Sequence, residues 1–109
     1  MTVSSPFGSQ TRTRILLALE LLGQSYAREL ARLMGAPLSV VQKGLASLER
    51  DGIIAGRFFG RTRLFEIDPR YFAVAQLRGL IARLAAADPD LKARAAELRR
   101  RPRRTGKRL

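Results

Sequence analysis

Turn signals cut residues 9–68 into pieces too short to bury a core alone, and this limits what the chain can fold into. They fall at Gly23, Gly35, Asp51-Gly52, Gly60 and Asp68-Pro69. Before Gly52 the apolar residues recur with a helical period, and after it with the period of a strand. Ser9 or Thr11 caps a first helix that runs through Leu22 and closes at Gly23. Ile15, Leu19 and Leu22 share one face, while Leu16, Leu17 and Leu21 fall largely off it. A helix that is apolar on more than one side is either central to the core or shared with a partner.

Ser25 is a good N-cap for a second, short helix from Tyr26 to Met34, with Ala27, Leu30, Ala31 and Met34 inward. Gly35 ends it in a left-handed conformation, and Ala36-Pro37-Leu38-Ser39 makes the turn into a third helix. That helix runs through Arg50 and turns Leu38, Val41, Leu45 and Leu48 inward. Ser39, Val40, Gln42, Lys43, Ala46 and Ser47 remain outside. Gly44 within it costs about 1 kcal/mol relative to Ala, so it marks a close approach to the second helix or to a ligand backbone.

Beyond Gly52, Ile53, Ile54, Phe58 and Phe59 form one strand and Leu64, Phe65 and Ile67 another, joined through Phe59-Gly60-Arg61-Thr62. Arg57, Arg61 and Arg63 decorate this hairpin. Its aromatic residues, with Tyr71 and Phe72, suit base stacking or a core, and alternation along the strand assigns most of them to the core. A fourth helix is expected from Pro69 to Ala87, with Val74, Leu77, Ile81 and Leu84 spaced like the seam of a short coiled coil. Leu91, Ala95 and Leu98 form a weaker stripe on a last segment. The fold class is therefore mainly α with a small β-hairpin.

Net charge is +12, from 21 Lys and Arg against 9 Asp and Glu, with no His and no Cys. The missing side chains exclude zinc fingers, thiolate clusters, an imidazole base and a cysteine nucleophile. No disulfide can form, in keeping with a reducing cytoplasm. No apolar run approaches the ~20 residues of a membrane helix, and residues 1–10 lack the order of a secretory signal. Neither Ser25 with Arg28 nor acid pairs such as Glu49 with Asp51 assemble a nucleophile and base, so no enzyme, cofactor or metal is expected. Arg99, Arg100, Arg101, Arg103, Arg104, Lys107 and Arg108 crowd residues 99–109 without an acid, leaving +5 for residues 1–98. The tail reads as disordered, with non-specific DNA affinity; an inert tail or a partner-binding arm are the alternatives.

Helix, glycine turn, helix and basic hairpin is the layout of a winged helix-turn-helix. The run Tyr26-Ala27-Arg28-Glu29-Leu30-Ala31-Arg32-Leu33-Met34-Gly35 resembles the first helix of that motif. Val41, Leu45 and Leu48-Glu49-Arg50-Asp51-Gly52-Ile53-Ile54 resemble its recognition helix and the exit into the wing. From about Phe7 to Leu84 the chain resembles bacterial winged-helix transcriptional regulators of the broad ArsR/MarR type. In Phe7-Gly8-Ser9-Gln10-Thr11-Arg12 and in Asp68-Pro69-Arg70-Tyr71 after the wing it is also similar to winged-helix modules found beside minimal nucleotidyltransferase domains. The resemblance implies a three-helix core, a two-stranded wing and a C-terminal helix for dimerisation. It departs from those relatives at Pro37, Leu38 and Gly44, and it lacks the Cys and His ligands of the metal-sensing ones.

Those implications define the expected sites. Residues 1–8 form an arm, 9–68 the DNA-binding domain, 69–98 a helical dimerisation segment and 99–109 the tail. Pro37, Leu38, Ser39, Val40, Gln42 and Lys43 would face the major groove of double-stranded DNA. Arg57, Arg61 and Arg63 would meet phosphates or the minor groove, with Arg12 and Arg14 adding backbone contacts. Leu16, Leu17, Leu21, Val74, Leu77, Ile81 and Leu84 would form a homodimer interface. The expected function is a cytoplasmic, nucleoid-associated regulator of transcription, most simply a repressor. A non-specific architectural DNA binder and a protein–protein adaptor are the alternatives.

Overall fold

A computed structural model describes residues 7–100; the rest of the N-terminal arm and of the basic tail lies outside the described residues. The order is α1 (Gln10–Leu22), α2 (Ala27–Met34), α3 (Leu38–Arg50), β1 (Ile54–Phe59), β2 (Thr62–Ile67), α4 (Val74–Ala86) and α5 (Pro89–Arg100). Ser9 caps α1, its hydroxyl accepting from the Arg12 N–H at 3.0 Å. Ile15, Leu16, Leu17, Ala18 and Leu19 are buried in succession, so α1 is enclosed around its circumference. The helices α2, α3, α4 and α5 and strand β2 surround it. The central role, rather than a face shared with a partner, is what its apolar pattern encodes. Burying each large aliphatic side chain there contributes about 1.5–3 kcal/mol.

Ser25 does not cap α2. It pairs with Phe65 of β2, donating its N–H to the Phe65 carbonyl at 3.0 Å and accepting from the Phe65 N–H at 2.7 Å. Its hydroxyl donates to Glu29 Oε1 at 2.6 Å, and Tyr26 takes the N-cap position without a side-chain hydrogen bond. Gly35 adopts φ 64°, ψ 35°, the left-handed conformation expected of it, and Pro37 leads into α3 with φ −61°, ψ 142°. The close approach at Gly44 is to α1, not to α2 or a ligand: a Cβ there would lie 2.6 Å from Ile15 Cδ1 and 3.3 Å from Thr11 Cγ2.

The hairpin pairs Ile54 with Ile67, Gly56 with Phe65, Phe58 with Arg63 and Phe59 with Thr62. Gly60 has φ 66° and Arg61 does not share a positive φ, which is the pattern of a two-residue type II′ turn. Ile54, Phe58, Arg63, Phe65 and Ile67 turn their side chains to one face, where position 56 is a glycine. Only its root, at Ile54, Phe65 and Ile67, is buried. The expectation that most aromatic residues lie in the core is corrected: Phe58, Phe59 and Phe72 are 70%, 66% and 91% exposed. Burial falls off from root to tip along β1, where the side chain facing Phe58 is Arg63, bound to Glu49 of α3, rather than an apolar one.

The fourth helix starts later than its proline suggested. Asp68 Oδ1 accepts from the Arg70 N–H at 2.9 Å, and the Asp68 carbonyl accepts from the Tyr71 N–H at 3.0 Å, so residues 68–71 turn before α4 begins. The Arg70 N–H, and then its side chain, hold the Asp68 carboxyl below the usual carboxylate range. A separate helix, α5, follows Asp88-Pro89, with Asp88 Oδ1 accepting from the Leu91 N–H at 3.1 Å. It folds back onto α1 and α2, burying Leu91 and Ala95. Arg94 donates to the Leu33 carbonyl at 2.9 Å and Arg99 to the Leu21 carbonyl at 2.8 Å. Arg99 and Arg100 thus belong to a helix rather than to the tail.

This return changes the outlook for the expected dimer face. Leu16, Leu17, Leu77 and Ile81 are buried within the chain, while Leu21, Val74 and Leu84 are partly covered. A heptad-like stripe serves equally well against the chain's own helices, and here α1 and α5 cover it. The α1–α3 contact is close at Gly44, where α3 has no side chain. Replacing Gly44 with Val should lower stability by about 2 kcal/mol through overpacking against Ile15, roughly 10 °C in Tm. A Tm equal to the parent's, followed by circular dichroism, would show that the two helices separate freely.

Candidate nucleic-acid interface

Helix α3 buries Val41, Leu45 and Leu48 and therefore presents the opposite side outward. Pro37, Ser39, Val40, Gln42 and Lys43 are exposed, with Leu38 half-buried. The residues expected to read DNA thus lie together at the N-terminal half of one helix, displayed by the Gly35 turn. A groove of about 550 Å³ separates α3 from the wing. Its lining combines Tyr26, Leu38 and Phe65 with Arg28, Gln42 and Arg61 and with the Arg63–Glu49 ion pair.

The arginines divide into two groups. Arg61 and Lys43 are exposed, and neither forms an ion pair or hydrogen bond with a described residue. Arg28, on the first turn of α2, is in the same condition and was not singled out from the sequence. Its outward position on the helical wheel was the available signal. Arg57 is exposed and donates to Gln24 Oε1 at 3.0 Å.

Arg12, Arg14 and Arg63 are engaged inside the molecule. Arg63 donates to both Glu49 oxygens at 3.2 and 2.7 Å. Its guanidinium lies 4.9 Å from the centre of the Phe65 ring and 5.5 Å from that of Phe58. The hydrogen bond to Glu49 holds its pKa above the ordinary value, against an opposing effect of burial. Gly56 makes room for this stack, since a Cβ there would lie 2.5 Å from Arg63 Nη2 and 2.7 Å from Phe65 Cε1.

Arg12 bridges three segments: it donates to the Phe7 carbonyl at 2.5 Å, to the Ser47 hydroxyl and to Asp51 Oδ2 at 2.8 Å. Its side chain is only 18% exposed. Arg14 reaches the Met34 carbonyl at 3.4 Å and Asp88 at 3.8 Å. Among the described residues no group of three acidic side chains is placed to hold a metal ion. No helix among them is long and apolar enough to cross a membrane.

Helix, turn, helix and two-stranded wing on a shared core make this a mainly helical, winged-helix fold. Among solved structures the chain is similar to the crystal structure of adhesin competence repressor (AdcR) from Streptococcus pyogenes. The match has a TM-score of 0.57 at 20% identity and covers 86% of this chain and 68% of that one. No family model matches the chain, and no curated protein does. The likeness is one of fold.

The internal arginines give a direct test of this division. Arg12→Ala should destabilise the chain by about 1–3 kcal/mol, as three partners lose their donor. The urea midpoint reads that loss. Duplex affinity, measured where the variant is fully folded, should stay near the parent's; a large drop would return Arg12 to the interface.

Proposed function

We propose that this chain binds double-stranded DNA as a homodimeric, sequence-specific transcriptional regulator, most simply a repressor, acting on nucleoid DNA in the cytoplasm. The observation that carries the reading is the exposed N-terminal half of α3 beside a groove lined by Arg28 and Arg61, which have no ion-pair partner among the described residues. A major groove about 12 Å wide admits a helix. Gln42 would pair with adenine, Lys43 with guanine or phosphate, and Val40 would touch a thymine methyl. Arg28, Arg57 and Arg61 would contact phosphates, which set position rather than sequence. The engaged state of Arg12, Arg14 and Arg63 gives them positioning roles in this scheme. The repressor in the name of AdcR agrees with it.

Two half-sites about 34 Å apart would require two copies. The face of α4 opposite the core carries Ala75, Gly79, Ala82 and Ala86, with the exposed Phe72 ahead of it and Leu80 at its flank. A Cβ at Gly79 would meet nothing within 4 Å, so this surface tolerates a larger side chain in the monomer. This outward face of α4 is where the homodimer would form.

Three measurements check the proposal. In a gel-shift titration, a duplex selected from a random pool should be preferred over bulk duplex by ~10³-fold or more; equal affinity would leave a non-specific binder instead. Lys43→Glu should abolish the preference without lowering Tm, whereas retained preference would move the readout off α3. Gly79→Arg should keep the fold yet shift sedimentation from dimer to monomer. A parent that already sediments as a monomer on DNA would remove the dimer from the scheme.

A further inference from the structure

We infer that the wing tip carries an aromatic wedge for the minor groove, in which Phe58 and Phe59 enter between stacked base pairs while Arg57 and Arg61 hold the flanking phosphates. The inference rests on the DNA-binding reading above. Two adjacent large aromatic side chains, 70% and 66% exposed, stand at the end of a hairpin whose core lies only at its root. They do not complete the fold, and an apolar surface of this kind marks a contact. As neighbours on one strand they point to opposite faces, so the tip is apolar on both sides. The Gly60-Arg61 turn keeps it narrow.

Charge selects the partner. Residues 57–63 contain Arg57, Arg61 and Arg63 and no acid. Arg63, already neutralised by Glu49, lies over the Phe58 ring and holds it in place rather than seeking an outside anion. The other two arginines flank the aromatic pair and remain exposed. The wing and α3 border one groove, so a duplex with α3 in its major groove presents the adjoining minor groove to the wing. That groove, about 6 Å wide, takes side chains rather than a whole ribbon. Apolar side chains there part a base step and kink the duplex.

The test uses the full chain and a duplex it selects from a random-sequence pool, with each adenine replaced in turn by 2-aminopurine, which brightens on unstacking. The parent should brighten the probe at the steps the two rings enter, one on each side of the tip. The double variant Phe58→Ala/Phe59→Ala should lose that signal and about tenfold in affinity. Its Tm should be unchanged, and Phe58→Tyr/Phe59→Tyr should restore both readouts. A double variant that binds and unstacks like the parent overturns the wedge and leaves DNA binding intact. Loss of binding only to phosphatidylserine vesicles, with DNA unaffected, would assign the tip to a lipid surface instead. A parent that selects no duplex removes the wedge and the DNA-binding reading together.

Discussion

A helix apolar around its whole circumference has to be enclosed, and α1 imposes that condition on everything that follows it. The α3 helix comes close because position 44 has no side chain. Strand β2 supplies Phe65 and Ile67, and α4 and α5 close the remaining sides. The chain therefore needs its C-terminal helices to finish the core around α1. That is why a stripe with the spacing of a coiled-coil seam is mostly turned inward, and why the outward side of α4 is a different set of residues.

The same enclosure sorts the charge. Arg12, Arg14, Arg94 and Arg99 reach carbonyl groups of other segments, at Phe7, Met34, Leu33 and Leu21. A guanidinium with its five donors suits this task, because one side chain can satisfy several acceptors at once. Arg28, Lys43 and Arg61, which make no such bond to a described residue, and Arg57, held only by Gln24, are exposed instead. These lie on the first turn of α2, on α3 and on the wing. Position within the fold, more than total charge, separates the two uses.

Much of this was legible before any coordinates. Gly23, Gly35, Gly52 and Gly60 punctuate the chain where the sequence says they should, since positive φ is a local requirement that a single residue type meets. The inward and outward faces of α3 follow from periodicity. What escaped was non-local. The pairing of Ser25 with Phe65 is one residue long and leaves no alternation to detect. The exposure of Phe58 and Phe59 depends on what distant α3 offers the outer hairpin, a Glu49 that binds Arg63 rather than an apolar side chain. Pro69 was compatible with starting α4, but the Asp68 side chain captured the Arg70 N–H and made a turn instead. Arg12 looked free because its partners, Ser47 and Asp51, are distant in sequence.

The Ser25–Phe65 pairing has a mechanical meaning. It joins the root of the wing to the segment just ahead of α2, and Ser25 in turn grips Glu29 inside that helix. The hairpin is thus anchored at Phe65 to the start of α2, whose far end leads through the Gly35 turn into α3. Both surfaces that border the groove are joined to that one short helix, the wing by a hydrogen-bonded pair and α3 by a turn.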